Sequence, residues 1–128
     1  MKQIINSPNA PSPVGPYNQS VRHGHTLYLS GQIAIDADSG KLITDTIQAE
    51  TKQVMKNIKT VLNQAGLTMD HILKCTLFVT DINQYSAINT IYAGFFNEQT
   101  APARELVEVR RLPKGVHIEI SAIAGFPD

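Results

Sequence analysis

Two ionisable residues near the end of the chain, Arg104 and Glu119, are of types that suit chemistry on a small carboxylic acid. An arginine guanidinium donates two parallel hydrogen bonds to a carboxylate, which makes arginine a natural anchor for such a substrate. A glutamate beside it could hold and activate a water molecule. On pattern alone, both charges could also be ordinary solvated residues, because charged side chains are mostly exposed.

The segment that joins these residues predicts that they lie on neighbouring strands. Alternation of apolar and polar residues indicates one strand over 104–109 and another over 116–125. Because the connection contains the turn-like sequence LPKG, we expect the two strands to be antiparallel neighbours. Arg104 and Glu119 would then lie together on the sheet face that carries no helices.

Several separated motifs carry a resemblance to a known family. In chain order they are GPY at 15–17, LSGQI at 29–33, AGL at 65–67, INTIYAGFF at 88–96, PAR at 102–104, EV at 108–109, LPK at 112–114 and IEI at 118–120. Together they resemble the signature of the RidA/YjgF family of imine and enamine deaminases. The resemblance implies a chorismate-mutase-like α/β fold, a homotrimer, and clefts between subunits. It also implies cofactor-free hydrolysis of 2-aminoacrylate-like enamines and imines to 2-keto acids and ammonia.

The same resemblance assigns roles to individual residues. Arg104 would bind the substrate carboxylate. Glu119 would position a water molecule, assist protonation of the enamine carbon to give the imine, and then help that water attack. Tyr17 would complete the catalytic set by hydrogen bonding near the reacting nitrogen or the water. The expected substrate-binding residues are Ser30, Gly31, Asn89 and Leu106.

The chain departs from the usual family pattern directly after Arg104. Glu105 stands where the family usually carries a small residue, and alternation points it away from the cleft. Leu106 stands where many members carry a cysteine, which removes any thiol chemistry and predicts a more crowded, more apolar pocket. We also expect that Glu108 could pair with Arg104 or Arg110 and weaken carboxylate binding.

Length, charge and cysteine count limit the class of protein to which the chain can belong. With 128 residues the chain is expected to form one domain, residues 1–128, with a real core. Eleven basic and eleven acidic residues cancel, and the sequence shows no basic stripe of the kind that binds nucleic acid. The single cysteine excludes an internal disulfide, and the four histidines lack metal-site spacing, so we expect no metal and no cofactor. No signal peptide or transmembrane segment is apparent, so we expect a soluble cytoplasmic protein.

Periodicity predicts a mixed six-stranded sheet with two helices on one face. Strands are expected at 3–5, 18–22, 26–32, 73–80, 104–109 and 116–125. One helix is expected over 46–65, with Asp45 and Gln48 as a capping box and Gly66 as its stop. A second helix is expected over 84–98.

The uncovered sheet face favours an oligomer. Right-handed crossovers place both helices on one side of the sheet. The other side would expose Leu29, Leu77 or their neighbours in a monomer, which predicts association through the sheet.

Two other functions remain open from the sequence. The same cleft could bind a 2-keto acid without turnover, as a ligand-binding or regulatory trimer. Some relatives have been described as ribonucleases or translation inhibitors, although the balanced charge argues against a role on RNA. Ammonia release and salt-dependent RNA binding separate these alternatives.

Overall fold

A mixed sheet of six strands forms the frame of the molecule in the computed structural model, which describes residues 1–128. The strands are β1 (Gln3–Ile5), β2 (Ser20–His23), β3 (Thr26–Gln32), β4 (Ile72–Val79), β5 (Ala103–Glu108) and β6 (Ile118–Gly125). Their order across the sheet is β1-β2-β3-β6-β4-β5. All neighbouring pairs are antiparallel except β4 and β5, which are parallel. The predicted mixed six-stranded sheet is confirmed.

The position of β6 corrects the strand pairing expected from the sequence. β6 lies between β3 and β4, whereas β5 pairs only with β4 and forms the edge of the sheet. The segment 109–117 is therefore not a hairpin loop, and it carries the chain past the end of β4. A strand whose alternate residues are all buried belongs in the centre of a sheet, while a charged strand such as β5 suits an exposed edge.

Two helices complete the fold, α1 (Ile47–Gln64) and α2 (Tyr85–Ala93). The N-cap of α1 is Thr46, whose Oγ1 accepts a hydrogen bond from the backbone N–H of Ala49 at 3.0 Å, so the expected capping box at Asp45 is wrong. The second helix is shorter than expected, because the chain leaves the helix at Gly94. Neither helix has both the length and the hydropathy needed to span a lipid bilayer.

The core lies between the helices and one face of the sheet, as predicted. Its largest fully buried apolar side chains are Leu27, Met55, Ile58, Leu62, Leu77, Ile88, Ile118 and Ile120. Leu29 and Leu77 are both buried, so the uncovered face does not expose them. Their neighbours are exposed instead, with Tyr28 at 50% and Val107 at 40%.

A buried carboxylate ties α1 to the start of β6. Glu50 is fully buried, and its Oε2 accepts hydrogen bonds from the backbone N–H groups of His117 at 2.7 Å and Ile118 at 3.0 Å. Its Oε1 lies 2.8 Å from Nδ1 of His117. Hydrogen bonds to a charged acceptor offset the cost of burying it. The chain is therefore fixed immediately before Glu119.

Candidate active site

Arg104 projects from the edge strand β5 towards α2, on the helix-covered face of the sheet. Its Nη1 donates a hydrogen bond to Oδ1 of Asn89 at 2.7 Å, and its Nη2 donates to the hydroxyl of Tyr85 at 3.2 Å. The guanidinium carbon lies 4.9 Å from the ring centre of Tyr92 and 5.5 Å from that of Tyr85, within the range of cation–π attraction. We call these four residues the arginine half-site.

The guanidinium of Arg104 has no carboxylate partner. The expected pairing of Glu108 with Arg104 or Arg110 is not formed, because Oε1 of Glu108 accepts a hydrogen bond from the backbone N–H of Ile82 at 2.9 Å. The neutral acceptors that hold Arg104 leave its charge uncompensated. The group is therefore oriented and still able to attract an anion.

The residues that follow Arg104 turn alternately towards and away from the site. Glu105 points to the opposite face, as alternation predicts, and its Oε1 lies 3.0 Å from the ammonium of Lys74. Leu106 returns to the face of Arg104, where it packs against the core. A pocket of about 510 Å³ opens beside Arg104, with Phe96 and Glu98 among its walls, and Leu106 is not one of them. The expected crowding by Leu106 stays a prediction.

Two buried groups lie near Arg104. Burial raises the pKa of the Cys75 thiol, and burial also raises the pKa of the Tyr92 hydroxyl. The Tyr92 hydroxyl makes no hydrogen bond of good geometry, although the Cys75 thiol lies next to it. Both groups therefore favour their neutral forms, and neither supplies an anion that would pair with the guanidinium of Arg104.

Glu119 lies on the uncovered face of β6, against an irregularity in β3. The pairing of β3 with β6 shifts register between Leu29 and Gln32, so Ser30 and Gly31 form a β-bulge, a feature often found beside active sites. A Cβ at Gly31 would lie 2.8 Å from Cδ of Glu119, so only glycine leaves room for this carboxyl group. Burial raises the pKa of Glu119, and no side chain or backbone donor binds its carboxylate.

A small pocket of about 90 Å³ joins Glu119 to the proline-rich loop that precedes β2. Tyr17, Gly31, Lys114 and Glu119 are among its walls. Lys114 has a φ of 57°, in the left-handed region that residues other than glycine seldom adopt. We call Tyr17, Gly31 and Glu119 the glutamate half-site.

The loop that carries Tyr17 is held by one buried side chain. Oε1 of Gln19 accepts a hydrogen bond from the backbone N–H of Ser7 at 2.6 Å. Nε2 of Gln19 lies within hydrogen-bond distance of three carbonyl groups, those of Ser7 at 3.1 Å, Ala10 at 3.4 Å and Pro11 at 2.9 Å. Gln19 is only 2% exposed. A segment without regular secondary structure therefore has a defined path.

Ser30 connects this loop to the sheet. Its Oγ donates a hydrogen bond to the carbonyl of Asn18 at 2.6 Å. Ser30 is not among the walls of either pocket described above. Within one copy of the chain its side chain supports the loop, and its role in substrate binding stays a prediction.

The two half-sites lie on opposite faces of the sheet. Arg104 on β5 is paired with Cys75 of β4, and Glu119 on β6 is paired with Phe78 of the same strand. The two residues are therefore separated by strand β4 and by three residues along it, and an odd number of residues corresponds to opposite faces. Standard sheet spacings place their Cα atoms about 14 Å apart. The expectation that Arg104 and Glu119 share a face is therefore wrong, and no small ligand touches both within one copy.

A family model described as endoribonuclease L-PSP matches residues 7–126, nearly the whole chain. The chain belongs to this family. A 2-iminobutanoate/2-iminopropanoate deaminase of Salmonella typhimurium is 44% identical over 126 residues, covering 97% of the chain and 98% of that protein. A RutC family protein of Pyrococcus horikoshii is 44% identical over 124 residues, with the same coverage. A solved structure of a Rid family protein of unknown function, YyfA of Yersinia pestis, matches with a TM-score of 0.94 at 50% identity, covering 98% of the chain and 99% of that one.

These findings confirm the resemblance to the RidA/YjgF family and its fold. In this family member, the residues expected to form one site divide between the two faces of the sheet. Asn89 lies with Arg104 as expected, although its amide oxygen is engaged by the guanidinium. Tyr17 and Gly31 lie with Glu119.

Sequence reasoning missed four residues of the half-sites or their supports, namely Tyr85, Tyr92, Lys114 and Gln19. Tyr85 lies on α2, is 45% exposed and contacts Arg104. Lys114 was assigned to a turn, and Gln19 had no assigned role. For Tyr85 a signal exists, because residues four apart on a helix lie on one side, and Tyr85 and Asn89 have this spacing.

Proposed function

We propose that this RidA/YjgF family member hydrolyses small, reactive enamines and imines that carry a carboxylate, such as 2-aminoacrylate, to 2-keto acids and ammonia. The proposal rests on the presence in one chain of two groups. One is the oriented guanidinium of Arg104, which has no counter-ion, and the other is the half-buried carboxyl group of Glu119, which has no hydrogen-bond donor. One suits a substrate carboxylate, and the other suits proton transfer. The name of the Salmonella relative supports the same substrate class.

We further propose that a homotrimer joins the two half-sites in clefts between subunits. A site that needs both Arg104 and Glu119 requires two copies of the chain, since the sheet separates these residues in one copy. The uncovered sheet face, which exposes Tyr28 and Val107, offers the apolar surface for such an assembly. Each subunit would then contribute Arg104 to one cleft and Glu119 to another.

The proposed reaction begins with the acid form of Glu119, which its raised pKa favours. Its proton is transferred to the terminal carbon of the enamine, and the electron pair of the C=C bond forms the new C–H bond while the nitrogen forms an iminium. The resulting carboxylate takes a proton from a water molecule as that water attacks the iminium carbon. This produces a neutral carbinolamine and regenerates the acid form of Glu119.

The second half of the reaction expels ammonia. Glu119 protonates the amino group of the carbinolamine, the C–N bond breaks, and the hydroxyl proton returns to the carboxylate as the C=O bond forms. The sum is one enamine and one water converted to one 2-keto acid and one ammonia. Arg104 holds the substrate carboxylate throughout, and Tyr17 donates or accepts a hydrogen bond near the nitrogen or the water.

Subunit complementation tests the shared site directly. Arg104→Lys and Glu119→Gln chains carrying different tags are co-expressed, and trimers that contain both are purified through both tags. Each variant alone is expected to release little ammonia from freshly generated 2-aminoacrylate when this substrate is supplied below saturation. In a ring of three subunits of two kinds, only one of the three interfaces combines both intact groups, so mixed trimers should recover about one third of wild-type activity.

The controls separate this proposal from the alternatives. The control is a mixture of Glu105→Gln and Arg104→Lys chains. It gives the activity of mixed trimers in which every subunit has an intact Glu119. Absence of recovery in the mixed trimers would contradict a shared site, and a monomer in sedimentation would contradict the trimer. Wild-type protein that binds a 2-keto acid but releases no ammonia would favour the ligand-binding alternative. Salt-dependent RNA binding would favour the alternative suggested by the name of the family model.

A further inference from the structure

Tyr85 presents an unused hydrogen-bond donor beside Arg104. It is the first residue of α2, and its side chain is accessible from solvent, with 45% exposure. Its hydroxyl oxygen accepts a hydrogen bond from Nη2 of Arg104 at 3.2 Å. Because the oxygen is the acceptor in that bond, the hydroxyl proton points elsewhere, and no acceptor within the chain engages it.

We propose that the Tyr85 hydroxyl is a second carboxylate-binding group, which acts beside Arg104 and gives the site a third donor for its substrate. The inference rests on the proposed function in one respect, the choice of Arg104 as the carboxylate anchor. It adds a specificity residue that the motifs of the sequence did not indicate.

The geometry explains why the two groups act together. A carboxylate offers about four lone-pair directions, and a guanidinium fork uses two of them. Asn89 fixes Nη1 of Arg104 at 2.7 Å, so the orientation of the guanidinium is set before a ligand arrives. A carboxylate on the exposed side of Arg104 then lies next to the phenol that already touches Nη2. Esters and amides, which lack the negative charge, benefit less from both groups.

Ionisation of Tyr85 would reverse this effect. The neighbouring Asn89 side chain and the positive charge of Arg104 lower the pKa of Tyr85. Below that pKa the neutral phenol donates to the ligand. Above it the phenolate has no proton to donate, is attracted to Arg104 and repels a carboxylate. Keto-acid binding should therefore weaken as the pH rises through the pKa of Tyr85.

Other ionisable groups face the same region. Cys75 on β4 and Tyr92 on α2 have raised pKa values, and Glu98 lines the same pocket as Arg104. Glu108 shares the strand face of Arg104. Carboxyl groups as a class titrate several pH units below phenols. A Cys75→Ala variant measured in parallel identifies any contribution of the thiol to the alkaline change.

The test measures binding of 2-oxobutanoate by calorimetry between pH 7 and 10.5. Tyr85→Phe keeps the ring and removes only the hydroxyl. The matched control is Ser86→Ala, which removes an exposed hydroxyl from the next position of α2. At pH 7 we expect Tyr85→Phe to bind roughly tenfold more weakly, the low end for a hydrogen bond to a charged group. The alkaline loss of affinity should be present in wild type, Ser86→Ala and Cys75→Ala, and absent in Tyr85→Phe.

The outcomes separate the two proposals. If Tyr85→Phe and wild type bind with equal affinity at pH 7 and show the same alkaline loss, the proposed role of Tyr85 is wrong. Weak binding by Arg104→Lys in the same experiment would still support Arg104 as the carboxylate anchor. If Arg104→Lys binds as tightly as wild type, or wild type binds no keto acid, the anchor and the role of Tyr85 are both wrong. Circular dichroism and sedimentation confirm that each variant keeps its fold and assembly.

Discussion

The two half-sites are built in different ways. The arginine half-site is formed by regular elements, an edge strand and the first turns of α2, and Arg104 is held there by two hydrogen bonds and two aromatic rings. The glutamate half-site is formed by a β-bulge and a loop, and Glu119 has no hydrogen-bond donor within the chain. One group has its orientation fixed, and the other is left with unsatisfied acceptors.

This difference matches what binding and proton transfer require. A substrate anchor gains from preorganisation, because little side-chain entropy is lost when the ligand arrives. A group that must both give and take a proton gains from a pKa closer to the working pH, and burial without donors moves a carboxyl group in that direction. Changes in the two half-sites should therefore affect different quantities, affinity in one and turnover in the other.

Glu119→Gln should have the largest effect. The amide cannot exchange a proton in this role, so we expect turnover of 2-aminoacrylate to fall about a hundredfold or more, the usual size of a general acid–base contribution. Binding of 2-oxobutanoate should stay near the wild-type value. Ammonia-release kinetics and calorimetry measure the two quantities, with Glu105→Gln as control. Normal turnover would show that Glu119 is only a strand residue.

Arg104→Lys should act on affinity. Lysine keeps the charge but loses the planar fork and its bonds to Asn89 and Tyr85. We expect 2-oxobutanoate to bind about tenfold to a hundredfold more weakly, the range for a charge-assisted hydrogen bond. Arg110→Lys is the matched control, since Arg110 is exposed and makes no ion pair. Equal losses of affinity in Arg104→Lys and Glu119→Gln would remove the distinction between the half-sites.

Gly31→Ala should have a smaller effect on turnover. The added methyl group occupies the space of the Glu119 carboxyl group and moves it, because the Cδ of Glu119 would lie 2.8 Å from the new Cβ. We expect a loss of roughly tenfold in turnover, as misplacement of a reacting group costs less than its removal. In Gly125→Ala the new methyl group meets only the Leu73 side chain, at 3.2 Å, so activity should persist. Similar activity in both variants would contradict the close approach.

The smallest expected effect is on stability. The pKa of Glu119 is raised in the folded state. Its contribution to stability is therefore complete at a pH below the unfolded-state pKa, and it is lost as the pH rises through the folded-state pKa. Glutamine has no such dependence, so Glu119→Gln should be more stable than wild type at pH 7.5, with no advantage at pH 4. Because the group is partly exposed, we expect a rise of only about 1–2 °C in Tm. Calorimetry at both pH values checks the sign, and a lower Tm at pH 7.5 would contradict it.

Local patterns predicted the elements well because each depends on neighbours in sequence. The expected strands 3–5 and 26–32 coincide with β1 and β3, and the expected helix 46–65 differs from α1 by one residue at each end. The alternation in β6 correctly assigned Glu119 to the face opposite its buried residues. The same logic placed Arg104 with Leu106 on one face of β5.

The strand order depended on information that local patterns do not contain. A short connection between strands favours a hairpin, and here β6 instead enters the sheet between β3 and β4. The charges of β5, including Arg104, Glu105 and Glu108, were a usable sign of an edge strand. The bulge at Ser30 and Gly31 had a weaker signal, since a glycine inside a strand can mark either a bulge or the close approach of another group.

The hydrogen bonds of Gln19 have a consequence for motion. Four backbone groups in the proline-rich loop lie within hydrogen-bond distance of one side chain, and these contacts are lost together when that amide leaves its place. Loss of several bonds in a single event is the mark of a cooperative unit of local unfolding. The loop should therefore have two states, closed with Tyr17 in place or wholly open. Hydrogen exchange would report one shared opening rate for its amides.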